Sequence, residues 1–233
     1  MPPSLTVVFP MYNEEAYVRR AVAAARDGLA ALGTEDYEIV LVDDASTDGS
    51  GEIASELARS DGRVRLLRNQ RNLGLGGSLR AGFAAATKDL VLYSDADLPV
   101  DLGELPRAVR VLEQQRADLL AGYRFHRSAE GLRRALYAAG YNALIRLLFG
   151  LRVRDVNFAF KLIRRSLLDR ISLHSQGSFI DAELLLRARQ AGAVVVQIGL
   201  DYFPRTAGVS KLSSPAVIAK ILREMLRSWR QLR

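Results

Sequence analysis

The chain has 233 residues, 49% of them hydrophobic and 25% charged, which excludes a disordered or collagen-like protein and is compatible with one folded domain. It has no Cys and two His, so disulfides, thiolate zinc sites and a cysteine nucleophile are excluded, and any metal must be held mainly by oxygen. Residues 1–120 carry 13 basic and 19 acidic side chains, whereas residues 121–233 carry 20 and 7. The basic second half predicts an anionic partner, such as nucleic acid, a phosphorylated substrate or a membrane surface, unless it is only a solvated Arg-rich surface.

Short apolar runs alternate with helical patterns through the first half of the chain. The predicted strands are 5–9, 37–42, 64–67, 90–94 and 118–122, and the predicted helices are 14–32, 49–59, 76–86 and 102–115. This alternation predicts an α/β fold with a doubly wound, mostly parallel sheet. In such sheets ligands bind beyond the carboxyl ends of the strands.

The second half is less regular, with an apolar segment over 132–151 and a further strand, helix and strand predicted at 157–163, 181–191 and 194–200. The nearly apolar stretch 135–151 contains Arg146 and is shorter than the roughly 20 residues that a membrane span needs. We therefore expect a buried or interfacial helix there. The N-terminus has no basic region followed by an apolar run, so we expect a cytoplasmic protein.

The tail over 215–233 has the pattern of a basic amphipathic helix. Its apolar stripe comprises Ile218, Ile221, Leu222, Met225, Trp229 and Leu232, and its opposite face is rich in Lys and Arg. This pattern is typical of a helix that lies on a membrane surface. The alternative is a terminal helix packed on the domain with its basic face in solvent.

A pair of carboxylates, Asp95 and Asp97, follows the apolar strand that ends in Leu-Val-Leu-Tyr-Ser. Two carboxylates at the carboxyl end of a strand can both turn toward the ligand crevice and share a hard divalent cation with a diphosphate. Such an ion would neutralise charge on a departing phosphate group. The alternative is a solvated turn.

Two more polar segments follow predicted strands. Asp43 and Asp44 end the second strand, where a carboxylate can bind a nucleobase or ribose, although Asp48 or Ser50 could simply cap the next helix. The segment 10–15 ends the first strand, and its two Glu residues also suit the first turn of a helix. A glycine-rich run over 71–78 lacks the features of a P-loop or an NAD fingerprint.

Taken together, PMYNEE, VDDASTDGS, RNLGLGGSLRAG, SDADLP, DVNFAFKLIRR and FIDAELLLRARQAG resemble the family 2 glycosyltransferases with the GT-A fold. The stretch RTAGVSKL at 205–212 resembles the R-x-x-G-x-S-K-L signature of the polyprenyl-phosphate branch, which includes dolichyl-phosphate mannose and glucose synthases. The resemblance implies a GT-A catalytic domain over 1–214, followed by the amphipathic helix at 215–233.

The resemblance also implies roles for individual residues. Asp95 and Asp97 would bind Mg²⁺ or Mn²⁺. The nucleotide sugar would be bound by Pro10, Tyr12, Glu14, Asp44, Ala96, Arg124, Arg205 and Lys211, with the Arg and Lys side chains facing phosphates. Pro99 stands where mannose synthases commonly have a Gln metal ligand, for which Asp101 could substitute.

The function expected from the resemblance is inverting transfer of a hexose from a nucleotide sugar to a polyprenyl phosphate, at the inner face of the membrane. Asp155 and Asp181 are the candidate catalytic residues, and each could instead be structural. An alternative is transfer to a sugar hydroxyl, for which Asp181 must be the general base. A second alternative is a non-catalytic, membrane-associated nucleotide-sugar binding protein. Nucleic-acid binding is not expected, because the basic residues lack an interleaved base-stacking motif.

Overall fold

The computed structural model of the protein describes residues 2–125, 132–204 and 215–232. Two of the expected phosphate-facing residues, Arg205 and Lys211, lie outside the described residues.

Seven strands form one sheet in the order β3-β2-β1-β4-β6-β5-β7. The strands are β1 (Leu5–Met11), β2 (Tyr37–Asp43), β3 (Val64–Arg68), β4 (Leu90–Ser94), β5 (Leu119–Arg124), β6 (Phe160–Arg164) and β7 (Val195–Leu200). All neighbours pair in parallel except β6, which is antiparallel to both β4 and β5. The prediction of a mostly parallel sheet is therefore confirmed.

The helices are α1 (Val18–Leu32), α2 (Ser50–Ser60), α3 (Gly74–Ala85), α4 (Leu105–Gln114), α5 (Leu132–Phe149), α6 (Arg165–Leu168), α7 (Ile180–Gln190) and α8 (Pro215–Leu232). The first helix begins at Val18 rather than Glu14, because the Glu14 carbonyl already accepts the N–H groups of Tyr17 and Val18 in a preceding turn. The segment predicted as one helix over 102–115 is a 3-10 turn, Leu102–Glu104, followed by α4. The short α6 has no apolar period long enough to predict it.

Helices cover both faces of the sheet. One apolar cluster joins the sheet to α1, α2 and α4, and the other joins it to α3, α5, α7 and α8. Strand β1 contributes Val7 and Phe9 to the first cluster and Val8 to the second, because successive side chains of a strand point to opposite faces. The doubly wound arrangement expected from the β-α alternation is confirmed.

The apolar-stripe side chains that the structure describes on α8 pack on the domain. Met225 and Leu232 are almost fully buried in the cluster that includes α5 and α7, and the Trp229 Nε1–H donates to the Leu148 carbonyl at 3.4 Å. The expectation that this stripe rests on a membrane is therefore corrected, since burial against the protein stabilises it instead. Within the described part of the chain, no helix combines the length and apolarity needed to cross a bilayer.

Candidate functional site

The sheet opens at the carboxyl end of β1. Strands β1 and β4 pair only as far as Val8 and Tyr93, whereas β1 continues alongside β2 to Met11. The chain order also reverses here, because β2 and β3 lie on one side of β1 and β4 lies on the other. A crevice at such a switch point is the usual ligand site of an open α/β sheet. The buried Pro10 lies in the last part of β1, beside this opening.

Strained backbone surrounds the crevice. Asn13, Ala45 and Leu98 have φ values of 57°, 59° and 52°, and they follow β1, β2 and β4 respectively. Non-glycine residues seldom adopt this left-handed conformation, and it concentrates at ligand sites. Three such residues in neighbouring loops therefore mark this edge of the sheet as the candidate site.

The loops after β1 and β2 are interlocked. The Asn13 side chain bonds both the backbone N–H and the hydroxyl of Thr47, and the Glu14 N–H donates to the Ser50 hydroxyl at 2.8 Å. Asp48 accepts the N–H of Ser50, the first residue of α2, although the N-cap position itself is Gly49. The contacts fix the backbone beside Tyr12 and Glu14, two of the expected nucleotide-sugar residues, both of which are half-buried.

The adjacent carboxylates Asp43 and Asp44 have different surroundings. The Asp44 oxygens accept the N–H groups of Leu73 and Gly74, each at 2.8 Å, and the Asn69 amide at 2.7 Å. Asp44 therefore anchors the N-terminus of α3, which has no side-chain cap of its own. Asp43 instead lines a cavity.

That cavity has a volume of about 410 Å³ and is lined by Asp43, Ala45, Ser46, Gly51, Glu52, Arg68, Asn69 and Gln70. Asp43 accepts the Ser46 N–H at 2.9 Å and the Arg68 Nε–H at 3.1 Å. Neither Arg68 nor Asn69 was among the site residues predicted from the sequence. The signal was available, because both residues are at the carboxyl end of β3, beside that of β2.

Asp95 and Asp97 are half-buried at the end of β4, with the buried Ala96 between them. The hydroxyl of Tyr93 donates to Asp95 Oδ1 at 3.3 Å. Burial raises the pKa of Tyr93 well above its usual value, and the nearby carboxylates of Asp181, Asp95 and Asp97 raise it further. The Tyr93 hydroxyl therefore stays protonated, with three carboxylates around it.

The donor set at this strand end fits a magnesium-type ion, because such ions are usually held by one or two carboxylates together with substrate phosphates. Within the described residues, no group of three or more His, Asp or Glu side chains is arranged to bind a metal. Asp101, considered as a substitute ligand, is exposed and accepts the Gly103 N–H at 2.9 Å as the cap of the 3-10 turn.

Asp181 lies at the start of α7 and is only 2% exposed. The ammonium of Lys161, on β6, donates to Asp181 Oδ1 at 2.5 Å and to the Phe158 carbonyl at 2.9 Å, and it lies 5.4 Å from the Tyr93 ring centre. Burial raises the pKa of Asp181, against the opposing effect of the Lys161 ammonium, and Asp155 adds to the rise. Sequence reasoning missed Lys161, although a Lys within the apolar run Asn-Phe-Ala-Phe-Lys-Leu-Ile was a usable signal.

Asp155 and Arg124 form a second ion pair, with 3.0 Å between Arg124 Nη1 and Asp155 Oδ2. The guanidinium of Arg124 also lies 5.1 Å from the Phe158 ring centre and 4.9 Å from that of Tyr202. The two aromatic rings and the carboxylate fix this cation at the end of β5. The structure thus brings Arg124 and Asp155 to the same sheet edge as Asp95 and Asp97.

Two sequence comparisons relate this chain to known glycosyltransferases. A model of the family described as Glycosyl transferase family 2 matches residues 6–172. Glycosyltransferase AglD from Haloferax volcanii is 31% identical to this chain, in an alignment that covers 98% of this chain and 37% of that protein. The chain thus spans little more than a third of the length of that relative.

Solved structures show the same fold. The glucosyl-3-phosphoglycerate synthase of Mycobacterium tuberculosis, in complex with Mn²⁺, UDP and phosphoglyceric acid, has a TM-score of 0.71 and 22% identity, covering 95% of this chain and 78% of that one. The same enzyme with Mn²⁺, UDP-glucose and phosphoglyceric acid has a TM-score of 0.68 and 21% identity, covering 95% and 79%. The α/β GT-A fold is confirmed. Because the family model matches residues 6–172 and the Haloferax volcanii relative is 31% identical over 98% of this chain, this chain belongs to glycosyl transferase family 2.

Proposed function

We propose that the chain transfers a hexose, with inversion, from a nucleotide sugar to a polyprenyl phosphate. The observation that carries the choice of acceptor is the buried ion pair between Lys161 and Asp181. A sugar hydroxyl needs a base within hydrogen-bond reach to take its proton. A phosphate monoester is already largely ionised at neutral pH, so it needs positioning rather than deprotonation.

Asp181 is badly placed to serve a hydroxyl acceptor. Its side chain is 2% exposed, and one of its oxygens is occupied by the Lys161 ammonium. To take a proton from an acceptor, the Asp181 carboxylate would have to give up its ion pair with Lys161. The Lys161 ammonium would then be a buried cation without its partner, which is energetically costly. Asp155 is likewise paired, with Arg124, and is 3% exposed. We therefore assign Asp181 to a structural ion pair with Lys161, and Asp155 to holding Arg124.

The donor would occupy the crevice between the ends of β1, β2 and β4. Asp95 and Asp97 would hold Mg²⁺ or Mn²⁺, and such an ion would offset charge on the diphosphate leaving group. The nucleoside would enter the cavity beside Asp43, Arg68 and Asn69. The likeness in fold to an enzyme crystallised with Mn²⁺ and UDP-glucose supports this assignment.

Membrane contact belongs to the same proposal and is assigned to the outer face of α8. Arg223, Arg227 and Arg230 are exposed on this helix, and the Leu226 side chain is 68% exposed beside them. A basic face with an apolar residue among its cations suits an anionic membrane surface. A lipid acceptor at such a surface would place the protein at the inner face of the membrane.

Transfer of radiolabelled hexose tests the proposal. UDP-glucose, GDP-mannose and related donors are incubated with a short polyprenyl phosphate and Mn²⁺ or Mg²⁺, with EDTA as the parallel condition. We expect label in the lipid phase that EDTA abolishes. Donor binding without lipid labelling would instead favour a hydroxyl acceptor or a binding protein.

A variant of Asp181 separates the two acceptor classes. We expect substantial transfer to remain when Asp181→Asn is combined with Lys161→Met, because this pair of changes removes both buried charges together. Thermal unfolding compares the stability of this double variant with that of the single Asp181→Asn variant, in which Lys161 loses its partner. A folded double variant that binds donor but transfers nothing would contradict this assignment, because it would show that at least one of the two residues acts in the transfer step.

A further inference from the structure

A second cavity, of about 520 Å³, lies at the same edge of the sheet. It is lined by Tyr123, Arg124, Phe125, Ala139, Asn142, Arg154 and Asp155. Strands β4 and β5 are separated only by β6, so the cavity stands two strand spacings, about 10 Å, from the strand that bears Asp95 and Asp97. This separation suits a group that reacts with a sugar held at the end of β4.

The guanidinium of Arg154 is fixed at the rim of this cavity. It lies 4.7 Å from the Tyr123 ring centre, and its Nη1–H donates to the Tyr123 hydroxyl at 2.9 Å. A guanidinium has five N–H donors, of which the described contacts engage one. Its planar set of donors matches phosphate oxygens, and stacking on the ring reduces the freedom that binding would otherwise remove.

The backbone of Arg154 is held from two sides. The Asn142 amide donates to the Arg154 carbonyl at 3.1 Å, and its oxygen accepts the Val156 N–H at 3.2 Å. The Arg154 N–H donates to Gln197 Oε1, on β7, at 2.9 Å. Hydrogen bonds to α5 and to β7 therefore fix the backbone segment that bears the Arg154 guanidinium.

The rest of the described lining is amphipathic. Arg124 adds a second guanidinium, and Asp155 supplies a single carboxylate that is paired with it. Phe125 is 63% exposed, and Ala139 extends the apolar surface. A lining that combines cations with apolar side chains fits a phosphate group attached to a hydrocarbon.

We infer that this cavity binds the phosphate of the acceptor, that Arg154 contacts the phosphate oxygens, and that Phe125 contacts the first carbon atoms beyond it. The inference rests on the proposed function, because it assumes an acceptor that carries a phosphate. The same chemistry would suit a lipid phosphate or a small soluble phosphate monoester.

Equilibrium binding without donor tests the inference, using farnesyl phosphate, glycerol 3-phosphate and farnesol as separate probes. The variant is Arg154→Gln. The control is Arg152→Gln, which changes another exposed Arg on the same segment that does not line the cavity. We expect Arg154→Gln to weaken farnesyl phosphate binding about tenfold or more, and Arg152→Gln to change it less than about twofold. UDP binding should be unchanged in both.

Equal binding of farnesyl phosphate by the wild type and Arg154→Gln would overturn the inference, as would equal binding of farnesol and farnesyl phosphate. Equal binding of glycerol 3-phosphate and farnesyl phosphate, both weakened by Arg154→Gln, would keep the phosphate site and overturn the lipid acceptor. Binding as expected without any transfer of sugar would keep the phosphate site at Arg154 and overturn the proposed function.

Discussion

Neighbouring carboxylates at the strand ends have separate tasks. Both oxygens of Asp44 accept hydrogen bonds from the glycine-rich segment and Asn69, and both oxygens of Asp43 accept hydrogen bonds from Ser46 and Arg68. Asp43 differs in that it lines the cavity. The resemblance assigns the nucleoside to Asp44, and we propose Asp43 for that role because it is the one of the two that lines the cavity. The expected effect of changing Asp44 is a loosened α3, with donor binding weakened indirectly.

The metal proposal predicts a large effect at Asp97. Asp97→Asn removes one of the two carboxylate charges at the end of β4, so we expect transfer to fall about 100-fold or more, together with a loss of Mn²⁺ binding in the presence of UDP. Calorimetry and the transfer assay measure the two effects. Asp101→Asn is the matched control, because this exposed carboxylate only caps the 3-10 turn. Equal losses in both variants would contradict the assignment.

Tyr93 is expected to orient Asp95. Tyr93→Phe deletes the hydroxyl that donates to Asp95 Oδ1 and keeps the ring that packs against Phe83. We expect Mn²⁺ affinity to fall roughly tenfold, as is typical when the partner of a metal ligand is removed, while stability changes by about 1 kcal/mol. Binding of Mn²⁺ in the presence of UDP measures the first quantity and urea unfolding the second. Unchanged affinity would show that the hydroxyl has no such role.

At the scale of elements, the N-terminus of α3 is held by close backbone contact. The Gly76 N–H donates to the Gln176 carbonyl at 2.8 Å, and a Cβ at Gly76 would lie 2.2 Å from the Ser175 carbonyl oxygen. Because that neighbour is backbone, the helix would have to shift. The glycine-rich run thus serves the docking of α3 against the segment before α7.

Gly76→Ala is therefore expected to lower the free energy of unfolding by about 1–3 kcal/mol, measured in urea. Gly140→Ala is the control within another helix, since apart from its chain neighbours and the backbone of its own helix no described heavy atom lies within 4 Å of the Cβ it would add. That change should leave stability unchanged or raise it by up to about 1 kcal/mol, from helix propensity alone. An unchanged free energy of unfolding in Gly76→Ala would show that α3 can move away from the segment before α7 without loss of stability.

The exposed basic face of α8 is predicted to bind anionic membranes. Replacing Arg223, Arg227 and Arg230 together by Gln should abolish most sedimentation with vesicles containing anionic lipid, because each cation near such a surface contributes about 1 kcal/mol. Wild-type binding should weaken with added salt and be slight on neutral vesicles. Unchanged sedimentation of the triple variant would place any membrane contact elsewhere.

At the scale of the whole molecule, Glu38 connects several elements by hydrogen bonds. It lies near the start of β2, at the edge of the sheet opposite the candidate site. It accepts hydrogen bonds from Thr6 on β1, Arg65 on β3 and Thr87 before β4. Burial raises the pKa of Glu38, but the hydrogen bonds from Arg65, Thr87 and Thr6 outweigh it, and the pKa is lowered. The ionised carboxylate therefore stabilises the fold above its unfolded pKa, and this contribution is lost as the pH falls through the folded value.

Glu38→Gln should accordingly be less stable than the wild type at neutral pH, and the difference should shrink as the pH falls below the ordinary pKa of a Glu side chain. Urea unfolding across this range measures it. Glu56→Gln is the control, because Glu56 pairs with Arg19 on the surface, where ion pairs contribute little. A difference for Glu38→Gln that stays constant with pH would show that the carboxylate is not the source.

Much of the fold could be predicted from the sequence because apolar periodicity is a local signal. Each of the predicted strands is present, and the carboxylates after β4 lie at the crevice as expected from their place at a strand end. The motif resemblance also led to the right family and the right fold. These properties depend on residues close together in the chain, or on a rule that holds for every parallel sheet.

Other properties depended on tertiary structure. The pairing of Lys161 with Asp181 requires β6 to run antiparallel between β4 and β5, an order that no periodicity encodes. The same holds for Arg154 beside Tyr123, and for Met225 and Leu232 of α8, which pack against the protein rather than a membrane. The sequence by itself determined which faces are apolar and which residue types stand at the strand ends. Only the tertiary structure decided which groups meet, because the hydrophobic effect has no direction and partners distant in the chain are selected by packing.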